Sequence, residues 1–150
     1  MNKTFASELI AKAIEREEDA HRLYSKAASL VQKPEVKKLF EELASQELDH
    51  KETLKKIDAS QFSGKSNERT TISSLSSLVE PHELSPEFSI QDAMIFAIKR
   101  EEESYRFYTE FAELAEDDKL KNIFFNLAAM EMHHKNSLED IYDKKIAWEN

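Results

Sequence analysis

The 150-residue chain is acidic, with 30 Asp and Glu against 21 Lys and Arg for a formal net charge of −9; 40% of it is hydrophobic and 34% charged. That length suits one domain with a sizeable core, the apolar fraction is too high for disorder, and no apolar run is long enough for a membrane span. The charge argues against nucleic acid or an anionic membrane as a partner, and the absence of cysteine excludes disulfides, thiolate catalysis, iron–sulfur ligation and an iron held by four thiolates.

One glycine and three prolines leave little material for β-turns, so the expected class is all-α. The opening MNKTFASELIAKAIERE sets acids where a signal peptide needs an apolar core, which points to the cytoplasm. A first helix is predicted from about Thr4 to Val31, its inward stripe being Ile10, Ala13, Ile14, Glu17, Ala20, Tyr24, Ala27, Ala28 and Val31. Lys33-Pro34 breaks it, and Pro34 suits the first turn of a second helix. That helix reaches about Asp58 and buries Val36, Leu39, Phe40, Leu43, Glu47, His50, Leu54 and Ile57. Residues 59–88, rich in Ser and Thr and holding Gly64, read as a crossover, with a short helix in passing from Ser73 to Glu83. Ser89 and Asp92 form a capping-box pattern for a third helix with Ile90, Ala93, Met94, Ala97, Ile98, Glu101, Tyr105, Tyr108 and Ala112 inward. After Glu116-Asp117-Asp118 a fourth helix turns in Leu120, Ile123, Phe124, Leu127, Glu131, His134, Leu138 and Ile141. Two short links and one long connection predict two antiparallel hairpins in a four-helix bundle.

Displaced by 84 positions, the chain overlays on itself. AIEREEDAHRLY from Ala13 lies on AIKREEESYRFY from Ala97, and LFEELASQELDHK from Leu39 on IFFNLAAMEMHHK from Ile123. The identical pairs include Glu17/Glu101, Tyr24/Tyr108, Glu47/Glu131 and His50/His134, as expected of two half-sites about a pseudo-twofold axis. A lone Glu-x-x-His is a weak signal here, since Glu18-Asp19-Ala20-His21 also fits and the repeat puts Tyr105 where His21 stands. The other two recur in mid-stripe, facing Glu17 and Glu101. Four carboxylates in a core would repel one another and be costly to desolvate unless cations neutralised them, and two divalent ions match their charge. The competing reading is a merely polar core layer. Oxygen-rich ligation with one imidazole per metal favours iron or manganese over structural zinc.

At these residues the chain resembles the ferritin-like di-iron carboxylate proteins, most closely the rubrerythrin-like branch, over both helix pairs. The resemblance implies Glu17 and Glu101 as terminal ligands, Glu47 and Glu131 as bridging carboxylates, and His50 and His134 as terminal imidazoles for two iron ions, with manganese or another divalent metal as the alternative. It also implies Tyr24 and Tyr108 as hydrogen-bond donors beside the metals; their other reading is core packing. Two features depart from the family. No rubredoxin part with its cysteines is present, so electrons would come from an external donor such as a rubredoxin or flavoprotein. Rubrerythrins also carry an extra glutamate three residues past the third-helix ligand, where this chain has Ser104.

The function expected is that of a non-haem di-iron oxidoreductase acting on H2O2 or O2, a peroxidase or ferroxidase, as a homodimer or higher homo-oligomer. The alternatives are an iron-binding, storage or metal-buffering protein without turnover, and a helical interaction module stiffened by metal. His21 is read as a boundary residue rather than a proton donor or extra ligand, His133 as outward, and Trp148 as a packing anchor or dimer contact.

Overall fold

The computed structural model describes residues 5–58 and 87–145. Four helices account for nearly all of them: α1 Phe5–Leu30, α2 Pro34–Lys55, α3 Ile90–Leu114 and α4 Asp118–Lys145. α1 packs chiefly on α2 and α3 chiefly on α4, the two hairpins expected of links only three residues long. The result is an all-α four-helix bundle. No helix among the described residues is long and apolar enough to cross a membrane. The crossover lies outside the described residues except for Glu87 and Phe88, as do the short helix expected from Ser73 to Glu83, His82 and Trp148.

The helix ends follow local chemistry. Pro34 occupies the first turn of α2, where its missing N–H costs no intrahelical bond. α2 ends at Lys55 rather than at the expected Asp58, because Lys56 and Ile57 close back on Thr53 and Leu54 in a tighter turn. Ser89 Oγ accepts from the Asp92 amide at 3.0 Å while the Asp92 carboxylate accepts from the Ser89 amide, so both halves of the capping box are made. Asp117 caps α4, its carboxylate accepting from the Lys119 amide at 3.4 Å.

Two apolar clusters fill the bundle. One joins Ala13, Leu54, Tyr108, Phe111, Leu120, Phe124 and Leu127; the other joins Ala97, Leu138, Tyr24, Ala27, Val36, Phe40 and Leu43. Each of the seven named in the first maps on its counterpart in the second by the 84-residue shift, so the repeat in sequence is a repeat in the packing. The stacking is richer in the first, where Phe107, Tyr108, Phe111 and Phe124 meet with ring centroids 5.0–6.0 Å apart. Of the expected inward residues, Ile14, Leu39, Ile57, Ile90, Ile98, Ile123 and Ile141 are half-buried at the edges of the stripes, as is Tyr105, whereas Ser104 beside it is buried.

Candidate metal centre

In mid-stripe of each helix the apolar pattern is interrupted. α1 supplies Glu17, α2 Glu47 and His50, α3 Glu101, and α4 Glu131 and His134, all at most 2% exposed. Three-residue spacing sets Glu47 and His50, like Glu131 and His134, on one helix face. The bundle brings all six together.

Their atoms form two overlapping tetrads, Glu17/Glu47/His50/Glu131 and Glu47/Glu101/Glu131/His134, each with one potential ligand atom per residue and all four atoms within 4.8 Å of one another. Glu47 and Glu131 belong to both. His50 Nδ1 lies 3.2–3.3 Å from oxygens of Glu17, Glu47 and Glu131, and His134 Nδ1 lies 3.2–3.5 Å from oxygens of Glu47, Glu101 and Glu131. The two rings are nearly parallel, with centroids 5.6 Å apart.

Glu17 Oε2, Glu47 Oε1, Glu101 Oε2, both Glu131 oxygens and both Nδ1 atoms are buried with no hydrogen-bond partner. Native interiors satisfy such atoms, and each orphan costs about 1–3 kcal/mol or more. Carboxylate oxygens and imidazole nitrogens converging in this way are what a pair of cations needs. The residues therefore fit a two-metal site: either tetrad is able to hold an ion.

Electrostatics agrees. Burial first, then the Glu47 and Glu131 carboxylates, push Glu17 well above the ordinary carboxylate range; burial and then Glu47 also raise Glu101. Burial disfavours the charged form of both histidines, but the surrounding carboxylates outweigh it. Glu131, Glu17 and Glu47 raise His50, and Glu101, Glu131 and Glu47 hold His134 up to about 12. Without cations the layer is short of positive charge and holds protons instead.

Tyr24 of α1 donates to Glu101 Oε1 of α3 at 2.6 Å, and Tyr108 of α3 donates to Glu17 Oε1 of α1 at 2.8 Å. These crossed bonds tie the hairpins together and fix the acids they reach. Burial and then the facing carboxylates push both phenols well above their ordinary value, so they stay protonated and act as donors.

Other neighbours escape a periodicity reading. Arg16 and Arg100, each one residue before an acid of the layer, are 4–5% exposed and clasp each other's helices: Arg16 donates to Arg100 O at 3.4 Å, and Arg100 donates to Arg16 O. Arg16 also lies 3.5 Å from Ser104 Oγ and 3.6 Å from Glu103. The Ser104 position thus faces a guanidinium. Gln46 of α2 meets the far side of His134, its Oε1 bonded to Nε2. His21 is not in the cluster; its Nδ1 lies 2.9 Å from Ala44 O and braces α1 on α2. His133 is exposed. The repeated Arg before each acid was the available sign for the arginines; nothing in the repeat marks Gln46.

Over 95% of its length the chain matches 91% of the solved structure of a hypothetical protein from Pyrococcus furiosus, at 25% identity and a TM-score of 0.75. No curated protein matches it significantly. The family model described as Rubrerythrin matches residues 8–142, a span that contains all four helical stripes and every acid and histidine of the buried layer, and the chain accordingly belongs to the rubrerythrin family.

Proposed function

We propose that the chain is a non-haem di-iron oxidoreductase that reduces H2O2 or O2. The carrying observation is the set of buried, unpartnered ligand atoms in two tetrads that share Glu47 and Glu131. In this reading Glu47 and Glu131 would be shared by two iron ions, one held also by Glu17 and His50 and the other by Glu101 and His134. Such an iron pair supplies two electrons together, which avoids release of one-electron oxygen radicals.

The residues around it define the site. The four carboxylates balance the charge of two divalent ions, and oxygen ligands suit the higher charge of the oxidised state. Tyr24 and Tyr108 orient Glu101 and Glu17 and hold protons at their hydroxyls beside the layer. The apolar clusters above and below keep bulk water from it. These 150 residues hold no cysteine, so in this reading the electrons come from a donor outside them, such as a rubredoxin or flavoprotein.

Anaerobic loading with Fe(II) followed by stopped-flow mixing with H2O2 or O2 tests this. Rapid oxidation of both ions, with recovery of the ferrous state on adding a reductant, supports turnover. Continued uptake into a retained ferric mineral makes iron the cargo and the protein a store; inertness to both oxidants makes the metal structural.

A further inference from the structure

The 84-residue repeat gives each half of the layer the same acids and the same imidazole, but it does not give the two imidazoles the same backing. His134 turns Nδ1 towards the carboxylates while its Nε2 is bonded to Gln46 Oε1. An amide oxygen only accepts, so Nε2 keeps its proton, and in the neutral ring that metal binding requires it is Nδ1 that presents a lone pair to the layer. His50 turns Nδ1 inward in the same way, but its Nε2 is buried without any hydrogen-bond partner. The register position equivalent to Gln46 is held by Met130, and a thioether is at best a weak acceptor. An acceptor behind a ligating histidine fixes its tautomer, holds its ring and makes it a stronger donor, and losing one typically lowers metal affinity about 10- to 100-fold.

We infer that Gln46 is a positioning residue that makes the two metal half-sites unequal, so that the half containing His134 fills first and the half containing His50 is the weaker, exchangeable one. The inference rests on the metal-centre reading above and goes beyond it, because this chain's six ligands repeat unchanged at the 84-residue shift whereas Gln46 and Met130, the register positions behind the two histidines, do not. The weaker half is then where an ion is lost or exchanged.

Calorimetric titration of the metal-free protein with Co2+, with visible spectra at each point, tests this, together with anomalous diffraction from crystals holding one equivalent. Wild type should bind in two steps about 10- to 100-fold apart in Kd, with the first ion beside His134. Gln46→Leu should weaken the first step and bring the two together. Met130→Gln, at a position 38% exposed, should supply the missing acceptor and strengthen the second step about tenfold or more. If Gln46→Leu does not fold, the gain in Met130→Gln decides alone. Two equal steps in wild type, a first ion beside His50, or no change at the second step in Met130→Gln overturns the inference while leaving the metal centre standing. A wild type that binds no Co2+ overturns both.

Discussion

The hairpin of α1 and α2 and the hairpin of α3 and α4 present the same side chains to the middle of the bundle and different ones around it. Glu17, Tyr24, Glu47 and His50 repeat as Glu101, Tyr108, Glu131 and His134, whereas Gln46, Ala20 and His21 become Met130, Ser104 and Tyr105. What a pair of cations would touch is duplicated; what surrounds it has diverged. A twofold charge problem, four carboxylates in a low-dielectric layer, constrains the inner residues of both halves alike, since losing either half's acid unbalances the whole. The surroundings only tune, so each half can differ.

The largest effect should come from breaking the sharing between the halves. Glu131 stands in both tetrads and Glu17 in one. Glu131→Ala should therefore abolish tight binding of both metals, while Glu17→Ala should keep one, read as metal per chain after desalting. Equal losses from the two variants would show that the halves are not joined through Glu131.

Removing the metals should make both halves sensitive to pH in the same direction. Glu17 and Glu101 are raised in the fold, so the stability their protonation contributes is present below the ordinary carboxylate range and is lost as pH climbs through the raised values. The raised histidines act with the same sign, their contribution falling away from the ordinary value near 6.5 upward. The apo protein should then melt lower at pH 9 than at pH 5.5, with the metal-loaded form far less sensitive. Glu47→Gln removes a carboxylate that raises both acids and both histidines, so it should shrink the difference in apo melting temperature between pH 5.5 and pH 9. Melting curves of the chelated protein that do not move with pH would contradict this.

The smallest effect compares the tyrosines. Each makes one crossed bond to an acid, and each Phe variant should cost about 1.5–3 kcal/mol in thermal unfolding of the apo protein. Near-equal losses would sharpen the twofold picture. A cost for Tyr108→Phe alone would trace to the aromatic stack at its end of the bundle.

The bundle and its inner layer were legible in the sequence because two periodicities coincide there: the 3-and-4 spacing of apolar stripes, and the 84-residue repeat that lifts Glu47/His50 and Glu131/His134 above the background of a glutamate-rich chain. Tyr24 and Tyr108 were placed by the same coincidence, although their crossing from one hairpin to the other depends on how α1 meets α3. The arginines were missed because charge at a helix position normally signals solvent, and the groups that make them tolerable inside, the opposite helix's carbonyl for both and Ser104 and Glu103 for Arg16, lie across the bundle. Gln46 was missed for another reason. Which residue of α2 backs a histidine of α4 depends on the axial offset between helices far apart in sequence, and periodicity along one helix says nothing of it.

The central claim is that the six side chains of the buried layer hold two metal ions. Anomalous diffraction at the iron edge, from crystals of wild type loaded anaerobically with Fe(II), tests it most directly. The account predicts two peaks inside the bundle, one within bonding distance of His50 Nδ1 and Glu17, the other of His134 Nδ1 and Glu101, with Glu47 and Glu131 reaching both. A layer without iron, or iron bound only at the acidic surface, would contradict it.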